Sequence, residues 1–121
     1  MKIATWTCWR APRVPVPGRP RGNGELCIAG DFNQEWGANG PVGTRVGRAA
    51  FERILDECRL SCVTGGNLDP LQARGWRATI DHVVLSEGLR VTGSTTVWPE
   101  QYPLPISLSD HHGLCVTIAD A

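Results

Sequence analysis

The sequence lacks a long hydrophobic run, a net charge and the length for a second domain. Its 121 residues are enough for one compact domain with one core. No apolar stretch reaches the roughly 18 to 20 residues that cross a bilayer. The short one near the N-terminus is also shorter than a signal-peptide core of about 7 to 15 residues. We therefore expect a single domain over residues 1–121 that does not span a membrane and resides in the cytoplasm.

The chain also has no net charge, because its twelve basic residues balance its twelve acidic residues. No global field therefore draws the chain toward nucleic acid or a membrane surface. The first 24 residues nevertheless hold five basic and no acidic side chains. Residues 11–24 are rich in Pro, Gly and Arg without helical or strand period, which predicts an exposed loop. Its arginines are either solvated charges, the usual role of such runs, or contacts to phosphate.

The cysteines form neither an even set nor a Cys-x-x-Cys pair, so nothing indicates a disulfide framework or a zinc site. Most of them lie in apolar periodic segments, where cysteine behaves as a small buried residue. We expect reduced thiols, mostly in the core, at Cys8, Cys27, Cys58, Cys62 and Cys115.

The hydrophobic pattern predicts several short strands and one amphipathic helix. Thr44 is a suitable N-cap, and the helix should end near Leu60. Its apolar stripe is predicted at Val46, Ala50, Ile54 and Cys58, with Phe51 and Leu55 alongside. Apolar and β-branched residues predict strands over 2–7, 25–31, 60–64, 78–85, 89–98 and 114–119. This pattern is typical of an α+β protein with a helix on one face of a sheet.

Three short motifs place polar residues at the ends of predicted strands. They are GDFN at residues 30–33, IDH at residues 80–82 and SDHHG at residues 109–113. A carboxylate at the end of a buried strand costs desolvation energy unless it meets a cation or hydrogen-bond donors. Hydrolysis of a phosphate ester gives all three a common role, because carboxylates hold a divalent cation and orient water while histidine stabilises developing charge.

In this order, and each behind a strand, the motifs resemble the endonuclease/exonuclease/phosphatase superfamily, which includes exonuclease III and DNase I. The resemblance covers residues 25–121, and the opening KIATW resembles the family's first strand. It implies a DNase I-like β-sandwich with helices, reduced to about half: one main mixed or antiparallel sheet with one principal helix. It also implies a phosphoester hydrolase of nuclease or phosphatase type, with weakly bound Mg²⁺ or Mn²⁺ and a nucleic acid or small phosphate ester as substrate.

The resemblance implies a role for each motif. Asp31 would activate or orient the attacking water and contribute to the metal site, and Asn33 would contact the metal or the scissile phosphate. Asp110 would lie near the metal, and His111 would bind phosphate oxygens. Asp81 would orient His111 through a carboxylate–imidazole hydrogen bond, so these two side chains should be neighbours.

Two departures from the family pattern bear on activity. Thr7 stands where the family's first strand carries Asn, so a hydroxyl takes that place in the predicted substrate-binding region. The family's metal-binding Glu has no counterpart before GDFN, and Gln34-Glu35 follows that motif rather than replacing the missing pair. The alternative is therefore a non-catalytic remnant of the fold, produced by internal deletion.

The remaining predictions concern neighbours of the motifs. His82 alternates with Asp81 along its strand, so it should face the other way as a satisfied sheet residue. His112 should be an exposed neighbour of His111. Loss of the family's middle strands should leave one sheet face partly uncovered, which predicts self-association or low solubility.

Overall fold

The computed structural model describes residues 24–36, 42–104 and 109–121. These residues form one α-helix, two 3₁₀ turns and seven short strands. The predicted first strand, Thr7, Cys8 and residues 11–23 lie outside the described residues. The α+β class is confirmed for the part that is described.

A three-stranded antiparallel sheet forms the centre. Its strands are β1 (Cys27–Asp31), β2 (Leu60–Cys62) and β3 (Asp81–Ser86), in the order β1-β3-β2. The five residues Asp81 to Leu85 of β3 are all buried, which accounts for the apolar run Val83 to Leu85. The register places Asp31 opposite Asp81, because β1 ends where β3 begins.

The helix α1 (Arg45–Cys58) covers one face of this sheet. Thr44 caps it as predicted, with its hydroxyl accepting from the Gly47 N–H at 2.9 Å. Phe51 and Leu55 pack with Val84 of β3. The other predicted stripe positions lie differently, since Ala50 is half-buried and Val46, Ile54 and Cys58 are exposed. That part of the stripe is wrong, because the sheet meets the helix on the flank that carries Phe51 and Leu55.

The opposite face of the sheet carries a second apolar cluster of Val83, Leu85 and Val116. The antiparallel ribbon of β4 (Leu89–Val91) and β7 (Ile118–Asp120) packs against this cluster. A second ribbon, of β5 (Thr96–Trp98) and β6 (Gly113–Cys115), contributes to a third apolar cluster that includes Leu71. The predicted single strands over 89–98 and 114–119 are therefore each divided in two. Between β4 and β5, Gly93 has a φ of 79°, a conformation that interrupts an extended strand.

Cysteine burial departs from expectation at two positions. Cys58 and Cys115 are exposed thiols outside any disulfide, so the expectation of core residues is wrong for these two. Cys62 is half-buried and packs with the cluster under α1. Burial raises the pKa of the Cys62 thiol, which favours an inert, protonated side chain. Within the described ranges, no helix combines the length and the hydropathy of a membrane span.

Candidate active site

Two carboxylates meet at the end of the central sheet. Asp31 is the last residue of β1 and Asp81 the first of β3, and the antiparallel register pairs them directly. Directly paired residues in a sheet project to the same face. The strand ends thus bring two like charges together, an arrangement that needs a cation or a proton to be stable.

The segment before β3 is fixed by a third acid, the buried Asp69. One of its carboxylate oxygens accepts from the Leu71 and Gln72 N–H groups at 2.8 and 3.1 Å, and the other accepts from the Thr79 N–H at 2.9 Å. The Thr79 hydroxyl in turn accepts from the Asp81 N–H at 3.0 Å. This chain of hydrogen bonds holds Asp81 in place at the start of its strand.

Asp81 and His111 form the predicted contact. The His111 Nδ1 lies 2.7 Å from Asp81 Oδ2, and Asp81 is only 3% exposed. The loop that carries His111 is braced by its own backbone, because the His111 N–H donates to Ser109 Oγ at 3.0 Å. The other Asp81 oxygen, Oδ1, is buried without a hydrogen-bond partner among the described residues.

Asp31 completes a compact group with this pair. One ligand atom from each of Asp31, Asp81 and His111 lies within 4.8 Å of the other two. Asp110 is outside that group, with its Oδ1 3.8 Å from His111 Nε2 and its side chain 62% exposed. The structure therefore puts the two paired carboxylates together and places Asp110 across the imidazole ring.

Asp81 and His111 each change the pKa of the other. Burial raises the pKa of Asp81, although the hydrogen bond and charge of His111 oppose this. Burial lowers the pKa of His111, but the hydrogen bond and charge of Asp81, with Asp110 and Asp31, outweigh it and raise that pKa overall. The two directions compete, and imidazole is intrinsically the stronger base by more than two orders of magnitude. When the pair holds one titratable proton, that proton therefore resides on His111 rather than on Asp81.

Asn33 contacts this group through its backbone. Its N–H donates to Asp31 Oδ1 at 2.8 Å, and its φ of 53° is left-handed, a conformation that asparagine tolerates. The turn orients the Asp31 carboxylate, while the Asn33 residue itself is exposed. Thr7, predicted at the same site, lies outside the described residues.

The other two histidines are buried outside the group of Asp31, Asp81 and His111. His82 is fully buried on the helix-facing side of β3, as expected, and its Nε2–H donates to the Gln34 carbonyl at 2.7 Å. Its Nδ1 is buried without a hydrogen-bond partner among the described residues, so the expectation that the whole ring is satisfied is wrong. His112 was expected to be exposed, and this is wrong, since it is only 9% exposed. Its Nε2–H donates to the Gln101 carbonyl at 2.9 Å, and its ring lies 5.0 Å from that of Trp76. The aromatic residues that cover it, Trp76 and Tyr102, lie far from it in the sequence. A local sequence motif therefore does not reveal its burial.

A cavity of about 300 Å³ opens beside the site. Asp81, Asp110 and His111 form one part of its wall. Apolar side chains, among them Leu71, Ile80 and Leu104, form most of the remainder, with Tyr102 and Arg77. The volume is at the lower end of the range for small-molecule pockets. Sequence reasoning missed this cavity, because its lining residues come from loops with no periodic pattern.

Comparison with known proteins places these residues in a family. A model of the endonuclease/exonuclease/phosphatase family matches residues 4–111 of the 121. The chain belongs to the endonuclease/exonuclease/phosphatase family. The matched range includes Asp31, Asp81 and His111, so the whole cluster falls within the family domain. No curated protein and no solved structure gave a significant match.

Proposed function

We propose that this chain is a divalent-metal-dependent phosphoester hydrolase, of nuclease or phosphatase type, with a DNase I-like fold. Family membership supports hydrolysis of phosphoesters in general. The observation that carries the proposal is the convergence of Asp31, Asp81 and His111, with Asp81 and His111 only 2.7 Å apart. A buried carboxylate that contacts an imidazole, next to a cavity, is an arrangement typical of hydrolytic sites.

The donor set fits a divalent cation. Asp31 offers carboxylate oxygens as ligands, and so does Asp81 through Oδ1, which has no hydrogen-bond partner among the described residues. Mg²⁺ and Mn²⁺ prefer such oxygen ligands. Asp110 is a further carboxylate on the far side of His111. A bound ion would neutralise charge on the phosphate oxygens. With so few anionic ligands, we expect metal affinity to be weak until substrate phosphate adds its own oxygens.

The protein groups would divide the remaining work. Asp31, held by the Asn33 N–H, would accept a hydrogen bond from the attacking water and orient it for in-line attack. Protonated His111 would donate from Nε2 to a phosphate oxygen, where charge develops in the transition state. Asp81 would hold the ring through Nδ1 and keep it protonated near neutral pH.

The test is hydrolysis of bis(4-nitrophenyl) phosphate while Mg²⁺ or Mn²⁺ is increased into the millimolar range. Asp31→Asn keeps an oxygen for the Asn33 N–H but removes the charge, so the rate should fall about 10²-fold or more. Asp56→Asn is the matched control, because Asp56 is an exposed acid on α1. A chelator should abolish the wild-type rate. Equal background rates for wild type and Asp31→Asn would contradict the proposal and favour a non-catalytic remnant.

Self-association is the second part of the proposal. Leu26, directly before β1, is 46% exposed, and Ile28, within β1, is 39% exposed. Among the described strands, β1 pairs only with β3. Exposed apolar side chains on an outer strand of the described sheet favour association with another chain. Light scattering at high protein concentration should therefore detect oligomers, and a monomer would contradict this expectation.

A further inference from the structure

Glu35 and Arg77 form a pair beside the catalytic cavity that the proposed mechanism does not use. Glu35 is 1% exposed, and its Oε1 is buried without a hydrogen-bond partner among the described residues. The Nε of Arg77 lies 4.0 Å from that oxygen. A buried carboxylate is costly unless a cation faces it, so this guanidinium stabilises Glu35 and is held in turn.

The Arg77 side chain lies beside Glu35 and also lines the cavity. Its side chain is 58% exposed, and it lines the same cavity as Asp81 and His111. Among the described lining residues it is the only lysine or arginine. A guanidinium that faces a carboxylate through Nε keeps its two terminal nitrogens for another anion, and their fork matches the geometry of a phosphate.

We propose that Arg77 binds a second phosphate group of the substrate and that the buried Glu35 positions it there. The inference rests on the proposed phosphoester site, since His111 would bind the reacting phosphate in the same cavity. The apolar side chains that line the same cavity, among them Leu71 and Ile80, fit the carbon skeleton that links two phosphates. Both a nucleic acid strand and a small polyphosphorylated alcohol carry such a second phosphate.

Binding of matched probes to the full chain in metal-free buffer tests this without turnover. The first pair is the thymidine dinucleotide TpT and its 5′-phosphorylated form pTpT, which differ only in the second phosphate. The second pair is inositol 1-phosphate and inositol 1,4-bisphosphate. In at least one pair the wild type should bind the doubly phosphorylated member about tenfold more tightly, and the pair that shows the gain identifies the source. Equal affinities within both pairs would overturn the proposal.

Variants assign the gain to Arg77 and Glu35. Arg77→Ala should lose the tenfold gain and leave the affinity for the singly phosphorylated probe unchanged, while Arg77→Lys should keep part of it. Arg53→Ala removes the same charge from an exposed position on α1 and should keep the full gain. Equal loss for both members of a pair in Arg77→Ala would overturn the role of Arg77.

Glu35→Gln is isosteric and tests the positioning role. It should reduce the gain several-fold without changing the affinity for the singly phosphorylated probe. A full gain in this variant would overturn positioning by Glu35. Failure of the wild type to hydrolyse any phosphoester would contradict the proposed function but not a gain that Arg77→Ala abolishes, so the two results are distinguishable.

Discussion

Asp81 and His82 are consecutive residues of one strand, and both are buried, yet they lie in two different environments. His82 faces α1, with its ring 5.9 Å from those of both Phe32 and Phe51 and its Nε2–H donating to a backbone carbonyl. Asp81 faces the opposite side, where it meets the His111 imidazole and the Asp31 carboxylate. At the Asp81 end of β3, one face is core and the other carries the candidate site, while further along the strand Val83 and Leu85 make the second face core as well.

His82 and Asp81 differ in the groups that their side chains contact. A backbone carbonyl can neither gain nor lose a proton, so the hydrogen bond of His82 serves structure. The partners of Asp81 are titratable and of both charges, and they adjoin a cavity. Buried polar groups are common in both settings, but only the second combination lets a proton or a cation move on substrate binding.

The largest expected effect on stability comes from the core face. Leu55→Ala should lower the free energy of unfolding by about 2–5 kcal/mol, because it leaves a cavity against Val84. Val46→Ala on the same helix should change it by about 0.5 kcal/mol or less, since Val46 is 80% exposed. Urea denaturation measures both. A large effect at Val46 would show that the described core is not the one that stabilises the protein.

The site face should instead show a dependence of stability on pH. The pKa of His111 is raised in the folded protein, so its stabilising contribution is complete below the unfolded value of about 6.5. That contribution is lost as pH rises through the folded value. Wild type in chelator should therefore lose stability from about pH 6 upward. Asp81→Asn removes the main cause of the raised pKa and should flatten this dependence, as denaturation at several pH values would show.

A smaller effect is expected at the start of α1. Thr44→Ala removes the hydroxyl that accepts from the Gly47 N–H, and should cost about 1 kcal/mol. Thr44→Ser keeps the hydroxyl and should stay close to wild type. Since Thr44 is not among the described residues that line the cavity, the rate of any phosphoester hydrolysis per folded molecule should not change. A change in that rate would show that the two faces are coupled.

Local chemistry made part of the fold predictable. Thr44 marks the helix start because its side chain satisfies a free N–H, and the apolar run of β3 marks a buried strand. Burial on α1 was less predictable, since Val46 and Ile54 fit the helical period as well as Phe51 does. Only the direction from which the sheet approaches decides which flank is covered.

The site was predictable where its residues occur in motifs. Asp31, Asp81 and His111 were chosen from the sequence and lie together in the structure, while their catalytic roles stay predictions. Arg77 and Glu35 carried no such signal, because a single arginine in a loop and an acid after a motif are common. Their proximity depends on tertiary contacts that bring residues 35 and 77 together.

The most direct test compares the two faces of β3 in one assay. We would measure the metal-dependent rate of bis(4-nitrophenyl) phosphate hydrolysis, per folded molecule, for wild type, His111→Ala and His82→Gln. The account predicts a fall of about 10²-fold or more in His111→Ala, and a wild-type rate with a lowered melting temperature in His82→Gln. A His111→Ala rate equal to that of the wild type at every metal concentration would contradict it.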